Sequence, residues 1–158
     1  MVHLYNTTNL YSGLHMKIKL QQSFSAEQLQ NLYNHTLAER LGIEFVEVTE
    51  DYLLAKMPVD ARTHQPAGYL HGGASVVLAE TLGSLGSTLL IDTTRFHAMG
   101  TEVSASHLRS LREGTVWAKA TLKHCGRTSH LWHIEITNDT GALVCLSRLT
   151  VRILERQL

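Results

Sequence analysis

Two cysteines, Cys125 and Cys145, are all that the 158 residues contain. Neither their number nor their spacing suits a disulfide framework or a zinc site. Both are expected as buried or half-buried thiols in strands, which fits a reducing cytoplasm. An excess of one charge sign is also missing: 14 Lys and Arg balance 14 Asp and Glu, for a net charge of zero with histidine neutral. That balance argues against a broad nucleic-acid-binding surface. No apolar run is long enough to span a bilayer. Residues 1–15 lack the charged-then-apolar order of a secretory leader. They are polar and expected to be poorly ordered, with Met16 as an alternative start. Residues 1–20 are therefore read as a flexible N-terminal extension and 21–158 as a single domain. No repeat, low-complexity tract or linker interrupts the rest. Phosphate-loop and dinucleotide fingerprints are absent, and Gly83-Ser84 lacks the G-x-S-x-G setting of a nucleophile elbow. Ten histidines do not assemble a metal site. His130 and His133 point to opposite faces of a strand, and His64 and His71 share a loop without a Cys or carboxylate cluster. No metal is expected.

What is present reads as an ordinary globular domain, 44% hydrophobic and long enough for one full core. Ser25-Ala26-Glu27-Gln28 is a capping box. A helix is expected over 26–41, stopped by Gly42, with Leu29, Leu32, Tyr33, Leu37 and Leu41 on its apolar face. Residues 43–48 and 52–59 read as strands about a Thr49-Glu50-Asp51 turn. After a loop over 60–70, a second helix is expected over 73–90. It is apolar nearly all round (Val76, Val77, Leu78, Leu82, Leu85, Leu89) and so should be buried. Four strands follow, over 100–108, 115–125, 130–138 and 142–154, with turn chemistry at Arg112-Glu113-Gly114 and at Asn138-Asp139-Thr140-Gly141. In the third, Trp132, Ile134 and Ile136 alternate with Leu131, His133, Glu135 and Thr137, giving one buried face. Runs of strands around a buried helix imply α+β, an antiparallel sheet wrapped on that helix. The lack of strand–helix alternation disfavours a doubly wound sheet.

The most informative stretch is Gln65-Pro66-Ala67-Gly68-Tyr69-Leu70-His71-Gly72-Gly73, which runs into the apolar helix. A Gly-Gly helix start offers free backbone N–H groups at a positive dipole end, and glycine lets a ligand approach the backbone closely. Such a start is also an ordinary turn feature; an oxyanion is the ligand it would hold. Glu80, about two turns in, is the helix's one carboxylate and the nearest candidate for a nucleophile or general base. Val76, Glu80, Gly83, Ser84 and Ser87 fall on one stripe at spacings of three and four, so Glu80 is expected in a small, hydroxylic neighbourhood. The combination points to acyl-transfer chemistry.

The stretch Arg62-Thr63-x-Gln65-Pro66-x-Gly68-x-Leu70-His71-Gly72-Gly73-Ala74-Ser75-Val76, followed by Ala79-Glu80-Thr81-x-Gly83-Ser84, resembles the hotdog-fold acyl-CoA thioesterases. The branch resembled contains 4-hydroxybenzoyl-CoA thioesterase, 1,4-dihydroxy-2-naphthoyl-CoA hydrolase and the enterobactin proofreading thioesterase, and the likeness runs from about residue 24 to 154. The resemblance implies a hotdog fold and a homodimer with a continuous sheet, commonly paired into a homotetramer. It places the active site at the dimer interface, where Glu80 of one subunit faces Gln65, His71 and Gly72 of the other. Gly72 N–H would polarise the thioester carbonyl. Glu80 would attack it or activate a water; both remain open. Gln65 and His71 would orient the thioester, and Ser84 would help to place the carboxylate or the water. In Ser106-His107-Leu108-Arg109, His107 would border the acyl pocket and Arg109 would contact the nucleotide end of coenzyme A. Ser104 and Ser106 stand where relatives carry asparagine, a departure that bears on acyl preference. Gly126, Arg127 and Ser129 resemble the family's loop near the cofactor phosphates.

The expected activity is hydrolysis of an acyl thioester, on coenzyme A or a carrier protein. The acyl group would be aromatic or medium-to-long aliphatic, and the products a carboxylate and a free thiol. Coenzyme A is then part of substrate and product, and no separate cofactor is expected; nor is a nucleic-acid or membrane partner. Two alternatives stay beside it: a hydratase or dehydratase acting on acyl thioesters, and a non-catalytic acyl-CoA-binding module, since one scaffold hosts several functions.

Overall fold

A computed structural model describes Ile18 and residues 25–157. The readings of an N-terminal extension, an alternative start at Met16 and a likeness beginning near residue 24 lie outside the described residues, apart from Ile18 itself, which is buried.

The capping box forms as expected. Ser25 Oγ accepts the Gln28 N–H, and Gln28 Oε1 accepts the Ser25 N–H. The helix it opens is shorter than the reading of 26–41. Helix α1 spans Ala26–Leu32 and a separate turn, α2, spans Leu37–Arg40. Between them His35 adopts a left-handed backbone (φ 63°). The Thr36 hydroxyl donates to Tyr33 O (2.5 Å) and Glu39 Oε2 accepts the His35 N–H (2.6 Å). Asn31, Asn34, His35 and Thr36 are weak helix formers, and the Thr36 side chain competes for a helix carbonyl. The break turns Leu32 and Leu37 outward, 63% and 56% exposed, while Leu29, Tyr33 and Leu41 stay against the core. The expected five-residue apolar face is therefore only three residues wide.

Strands β1 (Glu44–Val48), β2 (Leu53–Pro58), β3 (Phe96–His107), β4 (Thr115–Cys125), β5 (Ser129–Asn138) and β6 (Leu143–Glu155) form one antiparallel sheet. Its order is β1-β2-β4-β5-β6-β3. Helix α3 (Gly72–Leu89) packs across β2 to β6. The inner face of the sheet follows the period of two, with Leu53, Ala55 and Met57 on β2, Val116, Ala118 and Ala120 on β4, and Trp132, Ile134 and Ile136 on β5. β3 begins at Phe96, earlier than the expected residue 100, and forms one edge of the sheet.

Trp132 and Leu149 explain the small residues of α3. A Cβ on Gly86 would lie 2.5 Å from Trp132 Cη2, and one on Gly83 would lie 2.6 Å from Leu149 Cδ2. The indole N–H donates to Ser87 Oγ at 2.8 Å. Gly83 and Ser87, expected to furnish the neighbourhood of Glu80, instead face the sheet, where Gly83 makes room for Leu149 of β6 and Ser87 binds the indole of Trp132. Cys145 is buried as expected, but Cys125 is exposed because it ends β4 beside the β4–β5 turn.

Candidate active site

The loop before α3 is held by its own backbone. Buried Thr63 donates its hydroxyl to Pro58 O (2.9 Å), and Thr63 O accepts the His71 N–H (2.8 Å). Gln65 N–H donates to Tyr69 O and Gly68 N–H to Gln65 O, a turn that Gly68 permits at φ 77°. Leu70 N–H reaches Leu111 O at 2.8 Å, tying the loop to the segment after β3.

His71 is thereby delivered to the helix cap. Its Nδ1 accepts the Gly73 N–H at 2.8 Å, so the proton of the neutral ring sits on Nε2. Its carbonyl accepts the N–H groups of Ala74 (3.0 Å) and Ser75 (3.4 Å). Three of the first four amides of α3 thus end on His71. The fourth, Gly72 N–H, has no acceptor among the described residues. It sits at the positive end of a helix of 18 residues.

Gly72 lies against His107, where a Cβ would come within 2.8 Å of His107 Nε2. Beside them opens a cavity of about 440 Å³, lined by Gln65, Tyr69, Gly72, Ser75, His107 and Arg109 among others. The Gln65 side-chain oxygen accepts the Ala67 N–H at 2.6 Å, which holds the amide in its loop. Arg112 stacks on Tyr69 (4.0 Å to the ring centre) and donates to its hydroxyl at 2.8 Å.

Glu80 is half-buried and stands apart from this group. Its carboxylate rests on β3 at Gly100, where a Cβ would lie 2.8 Å from Oε1. Gly72 by His107 and Glu80 by Gly100 show that α3 and β3 run alongside one another in opposite directions. Along α3 the two are separated by about 12 Å. Ser84 is half-buried, and no hydrogen bond joins it to Glu80 among the described residues.

The remaining candidates divide the same way. Gly126 N–H donates to Ser129 O across the β4–β5 turn, and a Cβ on Gly126 would lie 2.7 Å from His124 Nε2. Ser129 pairs with Arg152, which pairs with Met99. Gly126, exposed Arg127 and Ser129 therefore belong to the Glu80 end of β3, whereas Gln65, His71, Gly72, His107 and Arg109 belong to the other. Near the same turn His130 is buried, with Nε2 3.5 Å from Cys125 Sγ. Burial, aided by His124, holds its pKa below the ordinary histidine range.

Sequence reasoning assigned no role to Tyr69, Ser75 or Gly100. A lone glycine in a strand pattern is a signal of close approach, and Gly100 carried that signal. The pairing of Tyr69 with Arg112 joins distant parts of the chain and left no local trace. Among the described residues no group of three or more His, Cys, Asp and Glu converges as a metal site, and no helix is long and apolar enough to cross a membrane.

Residues 67–145, which hold Gly72, Glu80 and His107, match the thioesterase superfamily. The proofreading thioesterase EntH of Cronobacter turicensis is 49% identical, over 75% of this chain and 86% of that protein. The 1,4-dihydroxy-2-naphthoyl-CoA hydrolase of Escherichia coli is 42% identical, over 85% of this chain and 98% of that protein. A crystal structure of a Pseudomonas aeruginosa thioesterase superposes with a TM-score of 0.85 at 46% identity, covering 87% of this chain and 99% of that one. The chain accordingly belongs to the thioesterase superfamily and is a hydrolytic thioesterase of the hotdog fold.

Proposed function

We propose that the protein hydrolyses an acyl thioester, carried on coenzyme A or a carrier protein, at a site shared by two subunits. The acyl group is aromatic or medium-to-long aliphatic; the aromatic choice draws on the relatives' names. The observation that carries the reading is the separation of Glu80 from Gly72 at opposite ends of one edge strand. β3 is 12 residues long, lies at the edge of the sheet and contains neither lysine nor proline. Such an edge is a template for pairing. If a second copy pairs with it antiparallel about a two-fold axis, Gly100 of one subunit faces residue 107 of the other when the axis passes near Val103–Ser104. Glu80 then meets the Gly72 and His107 of the partner subunit, and the Gly126–Ser129 turn joins Arg109 across the interface.

In that site Gly72 N–H receives the thioester oxygen as charge develops on it, a backbone donor already aimed and backed by the helix dipole. Either Glu80 attacks the carbonyl carbon, the thiolate leaves and water then hydrolyses the anhydride formed, or Glu80 takes a proton from a water that attacks the carbonyl carbon as the thiolate leaves; both routes end in a carboxylate and a free thiol. His71 holds the cap in place through Nδ1, with Nε2–H free to donate, and Gln65 lines the approach. Ser84 assists the carboxylate or the water. His107 borders the acyl group, while Arg109, Gly126, Arg127 and Ser129 serve the phosphates, which arginine suits geometrically. No separate cofactor is needed. Dimers pair further into a tetramer, and the two unpaired thiols suit the cytoplasm.

The test is release of free thiol from benzoyl-type and fatty acyl-CoAs by wild type and Glu80→Ala. The reading expects turnover by wild type and a loss of about a thousandfold or more in the variant. Release that survives Glu80→Ala would remove Glu80 from the chemistry. No release from any acyl-CoA would remove coenzyme A thioesters as substrates.

A further inference from the structure

The sheet has two edges, and their backbones are occupied differently. At the β3 edge, no hydrogen bond besides the ladder with β6 reaches the backbone of residues 97–107 among the described residues. At the β1 edge, a side chain of α1 takes the place of a neighbouring strand. Gln30 Nε2 donates to Ile43 O and Gln30 Oε1 accepts the Phe45 N–H, both at 3.2 Å. Ile43 N–H donates to Ala38 O of α2 at 2.9 Å. These groups face away from β2, whose ladder with β1 starts at Glu44 and Lys56. A primary amide carries a donor and an acceptor spaced like those of a peptide group, so one glutamine stands in for one residue of a strand.

The other guards of a strand edge are sparse here. β1 contains neither lysine nor proline. Val46, 39% exposed, occupies a bulge between Phe45 and Glu47, which interrupts pairing in the second half of the strand. Glu44 meets Lys56 at 2.9 Å and Glu47 accepts the Tyr52 hydroxyl at 2.8 Å, so both carboxylates are engaged on their own hairpin. The first half of β1 therefore depends on Gln30 and on the one carbonyl of Ala38. Resting on the β3 pairing proposed above, we infer that the Gln30 side-chain amide closes the β1 edge and so leaves β3 as the edge through which copies of this chain join. A dimer paired through β3 carries β1 at both ends of its continuous sheet. With those ends open, dimers add β1 to β1, and each addition leaves another β1 edge exposed, so the row does not close. The amide keeps the assembly finite and leaves the edge beside Glu80 and Gly72 as its joint.

The experiment measures mass in solution by sedimentation and light scattering over a range of protein concentration. It compares wild type, Gln30→Ala, Gln30→Leu and the double variant Gln30→Ala/Val46→Lys. Wild type should hold one mass throughout. Gln30→Ala should grow with concentration, to about twice the wild-type mass or more. Gln30→Leu, which keeps the bulk and loses the amide, should grow likewise. A lysine on the reopened edge should return the double variant to the wild-type mass. Wild-type mass in Gln30→Ala overturns the inference. Growth in Gln30→Ala alone, with Gln30→Leu unchanged, assigns the closure to bulk and overturns the role of the amide. Growth that Val46→Lys does not reverse traces to misfolding and overturns it as well. A monomeric wild type would overturn the β3 pairing itself and this inference with it, and is told apart because it needs no variant.

Discussion

The Glu80 carboxylate rests on Gly100, so close that a methyl group there would stand 2.8 Å from Oε1. The one carboxylate of α3 is seated on a glycine of the edge strand, and the strand's bulge, between Gly100 and Glu102, begins at that glycine. Gly100→Ala should push the carboxylate aside. A misplacement of about 1 Å at a reacting group costs roughly a hundredfold in rate. The expected result is a fall of that order in kcat with KM little changed. Wild-type kcat in Gly100→Ala would contradict the placement of Glu80.

Gly72 and His107 form the matching contact at the other end of β3. Gly72→Ala places a methyl 2.8 Å from His107 Nε2, so the ring must move away from the helix start. A loss of about ten- to a hundredfold in kcat/KM is expected. Because the damage runs through His107, the double variant Gly72→Ala/His107→Ala should be no worse than His107→Ala alone. Additive losses would show that Gly72 acts independently of the ring.

Much of this fold was legible locally. The turns at Arg112-Glu113-Gly114 and Asn138-Asp139-Thr140-Gly141 marked where β4 begins and β5 ends, and β5 announced its buried face through Trp132, Ile134 and Ile136. The first helix was misjudged because a hydrophobic period continued through Asn34-His35-Thr36, where side-chain competition and a left-handed His35 end the helix. The loop, the glycine pair and Glu80 stood out as a site because few other roles call for them together. Their spatial division came from the family resemblance and not from the residues themselves, since it depends on how α3 lies along β3. Gly83 and Ser87 misled because small residues on a helix serve a bulky neighbour as readily as a ligand, and those neighbours, Leu149 and Trp132, are far from them in sequence.

Ser87 therefore yields a prediction about stability. Ser87→Ala leaves the buried Trp132 indole N–H without its acceptor. The expected cost is about 1–3 kcal/mol in urea denaturation. Gly86→Ala, which drives a methyl into the same indole, should cost a similar amount, about 1–3 kcal/mol, by overpacking. Unchanged midpoints for both variants would mean that the helix does not seat on Trp132 in this way.

His130 makes stability depend on pH. Burial and the neighbouring His124 hold its pKa below the unfolded value of 6.5. The unfolded chain therefore takes up a proton first as pH falls, and stability rises with pH across that window. The contribution is complete above about pH 6.5 and is lost progressively below it, down to the folded-state value. Thermal melts should show Tm falling from about pH 7 to pH 5, with a shallower slope in His130→Asn. Equal slopes for wild type and variant would contradict a buried neutral histidine.

The central claim is that Glu80 completes the site of the partner subunit and not its own. Two variants, Glu80→Ala and His71→Ala, each purified with little thioesterase activity, should be mixed under conditions that let subunits exchange. In a two-fold dimer half of the random pairs are mixed, and each mixed pair holds one site with both residues intact. Recovery of roughly a quarter of wild-type thiol release is the predicted result. A mixture no more active than its parts, with subunit exchange verified, would contradict the shared site and return both residues to one chain.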